Sequence, residues 1–555
     1  MTTAGSRCPR EGVVVGMMSG RGFSPRRVLL ALVCALMLVV SACSGVGSSS
    51  AQSDTLTVAT ATAPATLSPS ELSTIAGWMW VVELAYDPLL WFEPDGSYKP
   101  GLATEWGFSD RNTKFSLTLR PNVKFSDGSP LTADSVAASL NYGFKNPASR
   151  SRLYAPGYDT ATATAPLQVT ISCREACPAL PWLLSQNVQL GSIVSPAGLA
   201  DPKRLGTEMF GAGPYVLNNA ESAAGDHYTF DPNPNYWNPS AIHYKRVVVR
   251  VIANESARLS ALQTGQVDLI DSVPLPSAET ISGDFTVDRG PSSFVAAIFH
   301  DIVGAARPGD APTKKYSAPL ANLAVRQALN YAIDRQTIAR SLGHGFAKPS
   351  ALTTAPGSGA YDPGLENSYP YDPDKAKALL AQAGYPDGFT LEVATNAASP
   401  DLAPWALAVV EYWQKIGVKV NLNSAKTIPI WVQAAQDYPA IIAQLGAQPF
   451  VAQMYYWYNP GTTYSQWHMD PAIAPMVHQS AEDSPEQAGA LHLQIEKYAV
   501  ENAFGVGVAT LPGLFAHSNK INLNMTAVPD ATRAGQVTNE IPIVTRITNG
   551  NGSAG

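Results

Sequence analysis

The stretch GLATEWGFSDRNTKFSLTLRPNVKFSDGSPLTADSVAASL, from Gly101 to Leu140, carries strand, turn and helix signals in close succession. Its segment KFSLTL, at Lys114–Leu119, alternates polar and apolar residues, which predicts a half-buried strand. The dipeptide that begins at Asp127 indicates a turn, because the next residue is a glycine. Thr132 then predicts the N-cap of a helix over Ala133–Phe144. Such a succession predicts a mixed α/β fold.

The mixed pattern continues on both sides of this stretch, without internal repeats. Turn residues separate short apolar runs from segments with apolar residues at helical spacing. The further predicted strands are Leu56–Ala59, Val247–Ile252, Val267–Ile270 and Val418–Leu422. The further predicted helical segments are Ala257–Thr264, Leu323–Leu342, Asp374–Ala383 and Trp405–Ile416, several of which end at a glycine.

The composition is that of a globular protein. The 555 residues are 45% hydrophobic and 15% charged, so the chain can bury a large core. A chain of this length predicts about two to four domains or lobes. The formal net charge of −7 argues against a general nucleic-acid binder, because affinity for phosphates needs a cationic face. Apolar runs of membrane-spanning length are missing from the sequence after the N-terminal region.

The N-terminal region has the pattern of an export signal. Arginines ending at Arg27 precede an unbroken apolar run over residues 28–40, which is short for a transmembrane helix. The following Ser-Ala-Cys resembles the end of a bacterial lipoprotein signal. Residues 1–42 are therefore predicted to be a cleaved signal peptide, Cys43 the lipidated mature N-terminus, and residues 43–53 a flexible tether. An ordinary secretory signal or a membrane anchor is the alternative.

Two cysteines, Cys173 and Cys177, lie close together in the body of the chain. In an exported protein their CREAC spacing predicts a disulfide that closes a small loop. Two thiolates without nearby histidines do not complete a tetrahedral zinc site, so this pair is not expected to bind metal. Free thiols are the alternative.

Several of these pieces together resemble one known family, the family 5 type of extracellular solute-binding proteins, which serve ABC importers of peptides, nickel and oligosaccharides. The opening stretch resembles the most recognisable part of that family. The other matching segments follow in the family's order: GAGPYVL from Gly211, NPNYWNP from Asn233, ARLSALQTGQVDLI from Ala257, LANLAVRQALNYAIDRQTIARSLGHGFAKPS from Leu320, and YDPDKAKALLAQAGYPDGFTLEV from Tyr371. The resemblance covers most of residues 54–520.

The resemblance implies an α/β fold of the type II periplasmic-binding-protein kind, with two lobes, an extra subdomain and a hinge. The first lobe is expected at residues 54–290 plus 510–548, and the second at residues 291–509. The chain is expected to cross between the lobes near Ser292–Asp301 and to return near Gly505–Ala516. A few hinge residues would then absorb the rotation as the lobes close.

An aromatic segment, Phe450–Trp467, is the strongest candidate for contact with a ligand. Aromatic side chains offer large contact areas, and the segment resembles the part of the family that lines the second-lobe side of the cleft. The predicted ligand-binding residues are Tyr455, Tyr456, Trp457 and Tyr458, with Trp78 and Trp80 from the opposite lobe. Packing of these aromatics in the core is the alternative.

Two family features are absent from the sequence. Relatives that bind free dipeptides use an aspartate in the aromatic segment for the ligand ammonium, and none occurs in Phe450–Met469. They use an arginine for the ligand carboxylate, and none occurs in Asn396–Pro404. A buried ligand charge without a partner costs several kcal/mol. Oligopeptides, or a neutral or amphiphilic solute, are therefore favoured over free dipeptides.

Catalytic motifs are absent from the sequence, which contains no GxSxG elbow, HExxH pair or Walker loop. No catalytic residue, metal or cofactor is expected. The resemblance implies a monomeric receptor that captures a peptide or other solute and delivers it to ABC permease and ATPase subunits. A lipid would hold it in the cell envelope, at the outer face of the cytoplasmic membrane. The alternatives are a sensor or envelope scaffold without transport, and a secreted hydrolase.

Overall fold

The computed structural model describes residues 54–71, 75–146, 158–306, 310–397, 399–458, 466–525, 528–529, 536–537 and 543–550. The predicted signal peptide, Cys43 and the tether lie outside these residues. In the described part, no helix combines the length and the apolar character that crossing a membrane requires.

The described strands follow the chain in this order: β1 (Thr55–Thr60), β2 (Leu90–Phe92), β3 (Tyr98–Pro100), β4 (Ala103–Ser109), β5 (Lys114–Leu119), β6 (Tyr158–Ala165), β7 (Gln168–Cys173), β8 (Tyr215–Leu217), β9 (His227–Pro232), β10 (Arg246–Val251), β11 (Leu269–Ile270), β12 (Phe285–Phe299), β13 (Lys348–Pro349), β14 (Thr390–Asn396), β15 (Lys419–Ala425), β16 (Ala440–Gly446), β17 (Gly505–Ser518), β18 (Ile521–Asn522), β19 (Val528–Pro529), β20 (Gln536–Val537) and β21 (Thr548–Asn549).

The described α-helices are α1 (Ile75–Ala85), α2 (Ala133–Lys145), α3 (Leu180–Leu183), α4 (Pro196–Ala200), α5 (Glu255–Gln263), α6 (Leu275–Ala278), α7 (Leu323–Tyr331), α8 (Arg335–Leu342), α9 (Pro373–Gln382), α10 (Ala403–Lys415), α11 (Ile428–Asp437), α12 (Phe450–Tyr458), α13 (Ala474–Glu482) and α14 (Pro485–Glu501).

One large sheet runs through the molecule in the order β15-β14-β16-β12-β17-β11-β1-β10-β9-β8, with β13 attached to β17. The long antiparallel pair of β12 and β17 divides this sheet. We call the part with β1 and β8–β11 lobe I, and the part with β14–β16 and their helices lobe II. The mixed α/β fold predicted from the sequence is confirmed.

The long pair is irregular where it passes from one lobe to the other. The register of β12 against β17 shifts between Arg289 and Ser292, and Ser292 lies opposite Pro512. Proline has no N–H to donate, so Pro291 and Pro512 both weaken the ladder at this point. Both strands overlap the segments where the sequence predicts the crossovers, and the lobe boundaries stay a prediction.

A second sheet, in the order β4-β5-β7-β6, packs with α2 beside lobe I. Thr132 caps α2 as predicted, because its hydroxyl accepts from the Ser135 N–H at 3.2 Å. A disulfide joins Cys173, at the end of β7, to Cys177. One buried apolar cluster extends from this small sheet into lobe II, where it includes Phe450 and Ile495.

The predicted helical segment Leu323–Leu342 consists of two helices, α7 and α8, so its reading as one helix is wrong. Asp334 explains the break. Its carboxylate accepts from the Thr337 N–H at 2.9 Å and so caps the start of α8. An aspartate inside a segment of helical spacing therefore begins a new helix here.

Candidate functional site

In each lobe, the carboxyl ends of the parallel strands point toward the other lobe. β1 is parallel to β10 and β11, and β14 is parallel to β15 and β16. β11 is antiparallel to β17, and β16 is antiparallel to β12. Because β12 leads into lobe II and β17 leads back, the parallel strands of each lobe point their carboxyl ends at the other lobe. Ligands of α/β sheets bind beyond these ends, so the candidate site lies between the lobes.

Charged groups from both edges come close to each other. Asp401 follows β14, whereas Glu255 and Arg258 lie on α5, which follows β10. Burial raises the pKa of the Asp401 carboxyl, Glu255 raises it further and Arg258 lowers it. The Arg258 guanidinium already donates to the carbonyls of Ile252 and Ser272, at 2.8 and 3.1 Å. Asp401 and Glu255 therefore lie near each other and near Arg258, whose guanidinium is already hydrogen-bonded to main-chain carbonyls.

On the lobe I side, Trp80 and Asp271 form a buried pair. Asp271 directly follows β11, and its carboxylate accepts from the indole N–H of Trp80 at 3.1 Å. Burial raises the pKa of Asp271 to about 6, against the opposing effects of Arg258 and Trp80. The Trp80 side chain is only 2% exposed, so in this structure it supports the strand ends from inside. The side chain of Trp78 lies outside the described residues.

On the lobe II side, α12 follows β16 and turns aromatic residues into the core. Trp457 lies 6.0 Å from Phe294 of β12, measured between ring centroids, and Tyr458 lies 6.3 Å from Phe504. Both side chains are buried. The side chains of Tyr455 and Tyr456 lie outside the described residues. The predicted contact of these aromatics with a ligand stays a prediction.

Trp457 nevertheless keeps a free polar atom beside the hinge. Its indole N–H is buried and finds no hydrogen-bond acceptor among the described residues. A buried donor without an acceptor destabilises the fold by about 1–3 kcal/mol. Binding of a group that accepts a hydrogen bond from the Trp457 indole N–H would therefore be favoured. Phe294, against which the ring packs, belongs to the hinge strand β12.

Motif residues that carry the family resemblance have structural roles. Asp87, fully buried, accepts from the Tyr236 hydroxyl at 3.0 Å and from the Trp237 indole at 2.6 Å. Burial raises the pKa of Asp87 to about 6. The guanidinium of Arg120 lies 3.9 Å from the centre of the Trp237 ring. The tyrosine and tryptophan of the NPNYWNP segment thus anchor one buried carboxyl.

Sequence reasoning missed the acids at the strand ends. Asp271 and Asp401 were not singled out, although each comes within a few residues of a strand end, where the sheet rule places ligands. That position was the available signal. Among the described residues, no group of three or more His, Cys, Asp or Glu side chains is arranged to hold a metal ion.

Comparison with known proteins identifies the family. The family model described as bacterial extracellular solute-binding proteins, family 5 Middle, matches residues 97–467. The glutathione-binding protein GsiB of Escherichia coli (strain K12) is 26% identical over 397 residues, which cover 71% of this chain and 73% of GsiB.

Solved structures show the same fold. The periplasmic binding protein DppA of Helicobacter pylori, in complex with the peptide STSA, has a TM-score of 0.72 at 19% identity, and covers 89% of this chain and 98% of its own. The PBP AgaA of A.tumefacien R10, in complex with agropinic acid, has a TM-score of 0.71 at 22% identity, with 85% and 94% covered. The predicted two-lobed type II fold is confirmed, and the chain belongs to the family 5 bacterial extracellular solute-binding proteins.

Proposed function

We propose that the protein captures a peptide between its lobes and delivers it to an ABC importer, without covalent chemistry. The observation that carries this proposal is the arrangement of the strand ends, since the parallel strands of both lobes point at one cleft beside the β12–β17 pair. Ligand binding to both edges would favour the closed arrangement of the lobes over an open one. Membrane permease and ATPase subunits would then accept the loaded protein.

Relatives support a peptide or a peptide-like solute. GsiB binds glutathione, and DppA of H. pylori was solved with the peptide STSA. AgaA was solved with agropinic acid, so the same fold also accepts a ligand that is not a peptide. The charges at the strand ends narrow the class of ligand that we propose for this chain. Asp401 and Glu255 disfavour a ligand carboxylate at this edge, because like charges close together repel.

Native mass spectrometry of the purified protein tests the proposal. The protein is incubated with a randomised pool of peptides of about two to eight residues, so that dipeptides and longer peptides compete for the same site. We expect adducts at peptide masses with few dipeptides among them, and a smaller radius of gyration in X-ray scattering when the selected peptide is added. A co-purified solute of another chemical class, with no peptide adduct, would overturn the peptide assignment.

A matched pair of ligands tests the charge argument. Each selected peptide is compared with its C-terminally amidated form, which lacks the carboxylate. We expect the amide to bind several-fold more tightly to the wild type, and Asp401→Asn to reduce this preference, because it removes one of the repelling charges. Asp374→Asn, at an exposed position on α9, is the control and should leave the preference unchanged. Equal affinity of the wild type for both forms contradicts the charge argument.

A further inference from the structure

A turn of the small sheet reaches across to lobe II. The hairpin of β4 and β5 turns at Asp110, Arg111 and Asn112, and the side-chain amide of Asn112 donates twice to lobe II. Its acceptors are the carbonyls of Ala481, at 2.9 Å, and Asp483, at 2.8 Å. These carbonyls lie at the C-terminal end of α13, where the helix leaves its own carbonyls without partners. The contact therefore satisfies groups that lobe II cannot satisfy within α13.

The backbone of the turn is held in an unfavourable conformation. Asp110, Arg111 and Asn112 all have positive φ angles, of 52°, 52° and 61°. This left-handed region disfavours residues with a Cβ, although Asn and Asp tolerate it better than most. A second contact, between Arg111 and Glu482 at 3.2 Å, is exposed and so adds little. The Asn112 amide is thus the main polar link at this point.

The disulfide loop supports this turn from behind. The N–H of Cys177 donates to the carbonyl of Asn112 at 2.9 Å, and the N–H of Cys173 donates to the carbonyl of Thr113 at 2.9 Å. The bond between Cys173 and Cys177 fixes both donors relative to each other. The same small loop therefore holds the main chain of the residue whose side chain reaches lobe II.

We propose that the β4–β5 turn is a latch that holds the lobes closed, and that the Cys173–Cys177 disulfide positions it. This inference rests on the lobe closure of the proposed function, but on no particular ligand. The continuous apolar cluster from the small sheet into lobe II includes Cys177 of the disulfide loop and Val477 of α13. Opening of the lobes separates Asn112 from α13, and the strained turn loses its partner.

Single-molecule energy transfer between the lobes tests the latch without added ligand. Dyes are attached through azide-bearing residues at two exposed positions, Lys203 in lobe I and Lys377 in lobe II, so that no cysteine is changed. Asn112→Asp keeps the shape and the tolerance of positive φ but loses both donors. We expect it to lower the ratio of closed to open molecules by roughly tenfold, since two hydrogen bonds are lost.

Asn112→Gly provides a second variant, because it also tolerates the left-handed backbone and lacks the amide. Lys114→Gln is the control, since Lys114 pairs with Asp110 inside the hairpin and leaves lobe II untouched. Folded Asn112 variants with the wild-type ratio of closed to open molecules would overturn the latch.

The role of the disulfide is tested by non-additivity. Cys173→Ser with Cys177→Ser should also lower the closed fraction, and adding Asn112→Asp should lower it no further, because both changes act on one contact. Fully additive effects would overturn the positioning role. The measurement also separates this inference from the proposed function. If the protein binds no peptide but the Asn112 variants open, the latch stands and the peptide proposal fails. If the protein binds peptides but the distance between the lobes is unchanged in the Asn112 variants, the peptide proposal stands and the latch fails.

Discussion

At the scale of single residues, several buried carboxyl groups of this protein have raised pKa values. Burial raises the pKa of Asp87 and Asp271 to about 6 and that of Glu496 to about 7. A raised pKa means that the folded protein binds the proton more tightly than the unfolded chain does. Each group therefore stabilises the fold most below its unfolded pKa, and its contribution falls as the pH rises toward the folded value.

Glu496 gives the clearest test of this pH dependence. One carboxylate oxygen accepts from the Thr354 hydroxyl at 2.9 Å, and the other finds no hydrogen-bond partner among the described residues. We expect Glu496→Gln to gain about 1–3 kcal/mol of unfolding free energy relative to the wild type between pH 4.5 and pH 8, because only the wild type must bury a charge at pH 8. Any cost of the new amide is independent of pH.

Chemical denaturation across this pH range provides the measurement. Glu501→Gln, at an exposed position near the end of the same helix, is the control and should show no such trend. A constant difference between wild type and Glu496→Gln at every pH would show that Glu496 is not a buried acid with a raised pKa.

Residue-level prediction from the sequence is strongest where local chemistry decides and weaker where packing between distant segments decides. Thr132 and its cap could be predicted because a cap needs only neighbours in sequence. Core packing, the alternative to ligand contact for Trp457 and Tyr458, also has a signal in the sequence. Together with Phe450 and Met454 they recur at i, i+4, i+7 and i+8, the spacing of a helix face that packs into a core.

At the scale of elements, Arg335 ties α8 to the returning strand β17. This fully buried guanidinium donates to the carbonyl of Gly507 at 2.7 Å and to that of Tyr369 at 2.8 Å. Burial lowers the pKa of Arg335 to about 10, so the group stays charged at neutral pH. Main-chain carbonyls thus serve as the acceptors that hold the two elements together.

Arg335→Lys is expected to destabilise the protein although it keeps the charge. A lysine ammonium cannot reproduce the planar fork that serves several carbonyls at once, and buried acceptors would lose their donor. The unfolding free energy should fall by about 2–4 kcal/mol in denaturant titrations. Arg340→Lys, at an exposed position on the same helix, should change it by less than about 0.5 kcal/mol. Equal effects of both substitutions would contradict the assigned role.

Elements with strong local signals were predicted best. β5 has the predicted bounds Lys114–Leu119, and α10 and α9 lie within a few residues of their predicted positions. Pairing between distant strands is a different matter, because no local pattern says that β11 lies beside β17. The order of the large sheet was accessible only through resemblance to a family of known fold.

At the scale of the whole molecule, the two lobes share one sheet, and their crossing strands carry the irregularity that a hinge needs. The register shift near Ser292 and the prolines on both strands leave few ladder hydrogen bonds to break there. Rotation at this point would change the cleft between the lobes. The described molecule thus has the mechanical parts that a solute-binding protein requires.

Attachment of the whole molecule to a membrane is predicted at Cys43. Mass spectrometry of the mature protein from a bacterial host should find a diacylglyceryl group on this residue, and Cys43→Ala should release the protein from the membrane fraction. Two acyl chains suffice for stable anchoring. Cys43→Ser keeps the size of the side chain but also lacks the thiol, so it should be released in the same way. A diacylglyceryl mass on Cys43→Ala protein would refute the prediction.

The pairing of β11 with β17 also constrains how the chain can fold. The partner of Leu269 is His517, and almost all of lobe II is synthesised between them. Until that distant segment is available, the edge of β11 in lobe I presents unpaired main-chain groups, which is a template for aggregation. Lobe II contains β14, β15 and β16 within one continuous stretch, and its core is completed by Val506 and Val508 of the same strand β17, shortly before His517. The first part of the chain to be made is therefore the last to be completed, and late truncations should harm lobe I most.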